Sequence, residues 1–212
     1  MFESGSRRTL VLLSYAFALL ALVAGGCGGG KKTSTEIKLD TPQDTMRSVL
    51  AAAEDRDEQA FVACFKAAED EEPLVRAVYQ LFVATSDFEH AMQNAFGEQP
   101  QGILQGDAWR TMPQLGSVED MTFDNVADDT IRVSLAETGE VFLTLVDGKW
   151  LVDAARFAEK LEPKQLIDKF DAMTRIMREM TVEAGKEDAT FESITERLGQ
   201  RMFEEMLGDI EI

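Results

Sequence analysis

The spacing of apolar residues changes period twice along this 212-residue chain, and that double switch limits the possible folds more than any other feature. Between Met46 and Ala95 apolar side chains recur every three to four residues. Between Met121 and Val152 they alternate, and from Leu166 to Met206 the helical spacing returns. A chain of this pattern predicts an α+β fold in which N-terminal helices pack on an antiparallel sheet and a C-terminal helical hairpin follows.

Within the first helical stretch, Thr41-Pro42-Gln43-Asp44 suits a helix start, with Thr41 as cap, Pro42 in the first turn and Asp44 at the positive end of the dipole. Met46, Val49, Leu50 and Ala53 supply its apolar face. Asp55-Arg56-Asp57-Glu58 breaks the chain and caps a second helix, with Phe61, Cys64, Phe65 and Ala68 on one face. The acidic run Glu69-Asp70-Glu71-Glu72 and Pro73 opens a third. Its stripe runs through Leu74, Val78, Leu81, Thr85, Phe88, Met92 and Ala95 to Gly97, a good C-cap, although Ser86-Asp87 could split it. Residues 98–117, with Pro100, Pro113 and several glycines, suit a loop or short irregular helix around Trp109.

Four short alternating runs come next: Met121 and Phe123; Ile131, Val133 and Leu135; Val141, Leu143 and Leu145; Trp150 and Val152. Ala127-Asp128-Asp129, Glu137-Thr138-Gly139 and Asp147-Gly148 separate them, and the last is a strong hairpin signal. The pattern predicts a four-stranded curved antiparallel meander. Phe142 and Val146 make the third strand apolar on both faces, so the long helix is expected on one face and the C-terminal hairpin over the other. That hairpin carries Leu166, Phe170, Met173, Met177 and Met180, then Gly185, then Phe191, Ile194, Leu198, Met202 and Met206 before Gly208, with a mid-helix Gly199.

The first 26 residues have a different character. A head containing Arg7 and Arg8 precedes an apolar run from Leu10 to Ala24, too short for a comfortable membrane span, and small residues lead directly to Cys27. Val23-Ala24-Gly25-Gly26-Cys27 resembles the lipobox of bacterial lipoproteins, with Ala24 standing where Leu is commoner. The resemblance implies cleavage before Cys27 and acylation of its thiol and new amine. Two or more acyl chains hold a protein stably, at about 0.8 kcal/mol per buried methylene. Gly28 occupies the position where Asp is the familiar signal for retention in the inner membrane, which favours the periplasmic side of an outer membrane. Residues 28–39, GGGKKTSTEIKL, suit a flexible tether. The expected organisation is a signal peptide over 1–26, the lipidated cysteine and tether over 27–39, an α+β domain over 40–157 and the helical hairpin over 158–212.

Charge excludes one class of partner. The chain carries 21 Lys and Arg against 39 Asp and Glu, a net -18, which argues against a nucleic-acid partner because phosphate contacts need clustered Lys and Arg. Losing Glu3, Arg7 and Arg8 with the leader makes the mature chain -19. Two cysteines cannot build a disulfide scaffold.

The proline-started helix, acidic break and short helix of Thr41 to Phe65, with the terminal hairpin Val141 to Asp153 and its Asp147-Gly148-Lys149-Trp150, resemble the nuclear-transport-factor-two-like superfamily over residues 41–156. The resemblance implies a cone of helices on a curved sheet. Its enzymes, ketosteroid isomerases and polyketide cyclases, place an Asp base and a Tyr or Asp acid inside the cone, whereas the inward positions here are apolar. Other members bind small molecules or act as assembly modules, and fold alone does not choose.

Individual residues follow suit. His90 is the only histidine and falls off the stripe, so it should face solvent. Cys64 beside Phe61 and Phe65 suits a buried inert thiol, and Tyr79 a partly buried amphipathic position. Met173, Met177 and Met180 share a helix face. That spacing fits packing, a flexible surface for a partner helix or second copy, or soft ligands for reduced copper, in that order. Glu69 to Glu72 lacks the Asp/Asn alternation and central Gly of a calcium loop. The reading is a non-enzymatic, lipid-anchored envelope protein, attached through acyl chains on Cys27, that binds a protein or small molecule and needs no cofactor or metal. One alternative is a pocket enzyme of the isomerase or cyclase kind using residues among Tyr79, Asp87, His90 and Asp107. The other is an assembly module that forms a homodimer through the sheet or the Met-rich hairpin.

Overall fold

Helix α1 (Pro42–Glu54) begins as its sequence dictates. The Thr41 hydroxyl oxygen accepts the Asp44 backbone N–H at 3.1 Å, and Pro42 occupies a first-turn position where a missing N–H costs nothing. The computed structural model that shows this describes residues 35–97, 118–135, 139–158 and 162–207. A sharp corner with Arg56 at φ +56° leads into α2 (Glu58–Ala63), capped by the Asp57 carboxylate on the Ala60 N–H at 3.0 Å.

Here the structure corrects the helical reading of Phe61 to Ala68. Helix α2 stops at Ala63, and Phe65–Lys66 form a short strand, β1, parallel to the last strand of the sheet. Spacings of three and four suit a helix, but the same Phe65 ring reaches the core equally well from an extended chain, and pairing satisfies backbone groups that would otherwise be buried without partners.

Helix α3 (Glu72–Phe96) is continuous for 25 residues through Ser86-Asp87, ending at Gly97 with φ +75°. Glu71 closes the turn that leads into it, its carboxylate accepting the Ala68 N–H at 2.8 Å, while Glu72 pairs with Arg76. Its buried surface is wider than the stripe read from sequence, although Ala95 at the end of that stripe is exposed. Val75, Tyr79 and Phe82 form a second buried row, and Tyr79 and Phe82 stand 5.3 and 5.6 Å from the Phe61 ring.

The meander consists of β2 (Thr122–Ala127), β3 (Thr130–Leu135), β4 (Gly139–Val146) and β5 (Lys149–Asp153). Together with β1 it gives a five-stranded mixed sheet in the order β1-β5-β4-β3-β2, rather than the expected four antiparallel strands. Asp147 and Gly148, at φ +50° and +78°, make the tight turn between β4 and β5, whose left-handed backbone suits Asp-Gly. Register aligns Ile131, Leu143 and Val152 in one row and Phe123, Val133 and Val141 in the next. These rows face the helices, and all but the half-buried Phe123 are buried. Leu145, expected inside, is exposed beyond the helical cover.

The hairpin consists of α4 (Pro163–Ala184) and α5 (Phe191–Leu207), the latter capped by reciprocal Thr190 and Ser193 hydrogen bonds. It departs from expectation in where it docks. Helix α4 lies along α3, the most extensive pairing of elements among the described residues, instead of covering the outer face of the sheet. The two helices run the same way. Phe65 and Phe157, 6.3 Å apart, sit ahead of their starts, and Phe96 meets Phe191 at 5.8 Å beyond the end of α4. Phe142 on the outer face is covered instead by the Arg156 guanidinium, 5.0 Å above its ring.

Two buried threonines make opposite uses of their hydroxyls. Thr45 on α1 donates to the Trp150 carbonyl at 2.7 Å, where β5 extends past β1, while Thr85 on α3 has no partner. Thr45→Val should therefore cost about 1–3 kcal/mol by stranding the Trp150 carbonyl. Thr85→Val, the same chemical change, should be neutral or stabilising by urea unfolding, since it removes a polar atom that is buried unpaired.

Candidate binding surfaces

The predicted leader, the lipid-attachment residue Cys27, the cysteine-proximal Lys31 and Lys32, and the loop residues Asp107 and Trp109 lie outside the described residues. Of the remaining candidates for acid–base chemistry, Tyr79 stacks into the Phe61 cluster, more deeply than expected. Burial first, and the Glu58 carboxylate second, push its phenol up. Asp87, two turns further along α3, pairs with Arg56, and His90 faces solvent as expected. Arg56 lies near both Tyr79 and Asp87, while His90 is exposed.

Cys64 is fully buried, its Sγ 3.3 Å from the Ala60 carbonyl, and desolvation pushes the thiol up to about 12. Met173, Met177 and Met180 are buried with Ile176, Leu198 and Met202 in the common core, so packing accounts for the methionine stripe. Glu69 and Asp70 are exposed beside the α3 start.

Sequence reasoning expected the hairpin over the outer face of the sheet and missed the polar pairs that occupy it, although the same alternation that marks the inward rows also specifies them. Lys66, Asp153, Thr144, Phe142, Arg132, Asp124 and Glu140 lie there. Asp153 is buried: its Oδ2 accepts the Thr144 hydroxyl at 2.9 Å and has the Lys66 ammonium at 3.6 Å, while its Oδ1 has no partner. Two strands away, Arg132 pairs with Asp124 at 3.0 Å and Glu140 at 3.6 Å, its Nε unpartnered. The face is thus a polar, largely self-paired surface with one acceptor and one donor left unpaired but buried beneath it.

A second surface follows the hairpin. Glu183 meets Arg197 at 3.0 Å, Glu179 meets Arg201 at 2.8 Å, and Arg175 meets Glu205 at 3.6 Å, three rungs four residues apart on antiparallel helices. Lys186 and Arg197 hold the Glu183 carboxyl below its ordinary range, the Lys186 hydrogen bond leading. Beside the ladder, Gln80, Asp171, Thr174, Arg175, Arg178 and Val182 line an open groove of about 510 Å³, bridged by Arg178 to Gln80 at 2.8 Å. Its shape is a trough with both signs of charge, unlike the enclosed apolar cavities that hold small ligands.

Among the described residues no cluster of three or more His, Cys, Asp or Glu is placed to hold a metal ion, and no helix is long and apolar enough to cross a membrane. No protein-family model matches the chain, and no curated protein or solved structure matches it either.

The thiol offers a direct test. Because its folded value lies above the unfolded 9.0, the neutral thiol stabilises the fold fully below pH 9, and that contribution is lost as pH rises toward 12. Native protein at pH 8 should react with a maleimide at Cys64 only as fast as it opens, and urea should make the reaction immediate. Rapid native labelling would contradict the burial assigned to Sγ.

Proposed function

We propose that the chain is an exported lipoprotein of the bacterial cell envelope, anchored by acyl chains on Cys27, whose α+β domain binds a partner without catalysing a reaction. The observation that carries this reading is one of order in the sequence. A charged head, an apolar run and small residues end in Cys27, and the described fold takes up only eight residues later, at Thr35. Gly28 in place of Asp supports the outer membrane, periplasmic side.

The finer fold assignment, a nuclear-transport-factor-two-like cone, is supported by the order of α1, short α2 and long α3 ahead of the meander and by the Asp-Gly turn before Trp150. The two-residue parallel strand and the hairpin along α3 would be this chain's own additions. A macromolecular partner is favoured over an enclosed small molecule, because the inward face of the sheet is filled by the core and the groove on α3 and α4 is open. A second copy of the chain is one such partner.

Globomycin treatment should leave an unprocessed precursor, labelled palmitate should appear on the wild type, and Cys27→Ala should release the protein from membranes. A Cys27→Ala protein that still fractionates with membrane as wild type does would defeat the anchor.

A further inference from the structure

We infer that residues 35–39 are a docked strap that fixes how far, and by which face, the domain stands off a lipid bilayer; the inference rests on the Cys27 anchor proposed above. These five residues were expected to belong to the flexible tether. Instead they are bound along their length. The Thr35 hydroxyl donates to Asp55 at 2.9 Å and its N–H to Asp57 at 3.5 Å. Ser48, itself buried, both accepts the Lys38 N–H and donates to the Lys38 carbonyl, each at 2.9 Å. The Leu39 carbonyl accepts the Trp150 N–H at 2.8 Å on the edge of β5 that β1 leaves open. Ile37 and Leu39 pack on the core between these bonds.

Two consequences follow from where the strap ends. The chain leaves the domain at the α1–α2 corner, so that corner is turned toward whatever holds Cys27. The span from Cys27 to Thr35 is at most roughly 28 Å even fully extended, against roughly 45 Å if the chain were free as far as Asp40. The corner itself presents Glu36, Glu54 and Asp55 to solvent, and its exposed cations Lys38 and Arg56 are paired with Glu36 and Asp87, which leaves it acidic on balance. Anionic headgroups repel those carboxylates and attract Lys31 and Lys32 in the intervening span. The bilayer is therefore met by the lysine pair, and the acidic corner faces it without lying on it.

Energy transfer measures the stand-off. Acylated full-length protein, with a donor dye on Gln59→Cys at the corner, is placed in phosphatidylcholine and phosphatidylglycerol vesicles containing a headgroup-labelled acceptor. Cys27 is acylated and Cys64 is buried, so the introduced thiol alone takes the dye. Releasing the strap with Ile37→Ser, Leu39→Ser and Ser48→Ala should lower transfer, as should nine Gly and Ser residues inserted between Thr33 and Ser34 with the strap intact. Transfer that falls for the insertion but stays at the wild-type level for the released strap overturns the inference. Should the released variant fail to fold, hydrogen exchange on the wild type decides. Slowed exchange of the Lys38 and Trp150 amides supports the strap, and exchange at the unprotected rate overturns it. Vesicle binding that persists in Cys27→Ala overturns the anchor itself, an outcome separate from all of these.

Discussion

Everything in this fold is arranged around the need to bury α3 on more than one side. A 25-residue helix with Leu74, Val78, Leu81 and Phe88 on one row and Val75, Tyr79 and Phe82 on another cannot be satisfied by a single partner. Helices α1 and α2 with the sheet take one flank and α4 takes another. Burying a large aromatic or aliphatic side chain contributes about 1.5–3 kcal/mol, so leaving either flank wet would cost several such terms. The Phe61 ring, in contact with Phe65, Tyr79 and Phe82, joins α2, β1 and α3 at one point. That contact explains why so short a helix as α2 persists. Six residues have little intrinsic helical stability, and tertiary packing with the Asp57 cap supplies the rest.

The same burial creates a polar problem at β5, whose outer edge meets only two residues of β1. Trp150 would bury an unpaired N–H and an unpaired carbonyl beside α1. The Leu39 carbonyl answers the first and the Thr45 hydroxyl the second. One edge is thus closed by three chain segments in turn, the strap, the side of α1 and β1. Register there is set by hydrogen bonding, whereas the middle of the sheet is set by matched apolar rows.

What could be read from sequence was whatever repeats. The double change of period gave the class, Asp147-Gly148 the turn, and Thr41-Pro42 and Gly97 two helix ends, because each is a local choice of backbone geometry. The features that escaped are non-local. Phe61, Cys64 and Phe65 fit a helix by spacing, and only the open edge of β5, some ninety residues on, makes Phe65 a strand residue. Lys38 and Leu39 look like tether within GGGKKTSTEIKL because their partners, Ser48 and Trp150, lie in later elements. The ion-pair ladder was visible as Arg175, Glu179, Glu183 against Arg197, Arg201, Glu205, at steps of four, but only an antiparallel hairpin turns those spacings into rungs. For Cys27 the sequence is the whole of the argument.

The place of the hairpin changes what the C-terminal third contributes. Placed over the outer face of the sheet it would have been a cover, separable from a domain complete without it. Along α3 it is part of the core: Met173, Ile176, Met177, Leu198 and Met202 join the same cluster as Leu74, Phe82 and Val133. Methionine suits that seam, since an unbranched side chain fills the irregular gap between helices that meet side by side. The ladder's exposed pairs add little stability of their own, but like charges would face each other if α5 slid by one turn, with Arg197 meeting the level of Arg175 only after larger shifts. A four-residue slip would keep one opposite-sign pair and set Glu205 against Glu179 or Arg201 against Arg175, so the change of sign in each helix favours the register that the adaptable methionines leave loose.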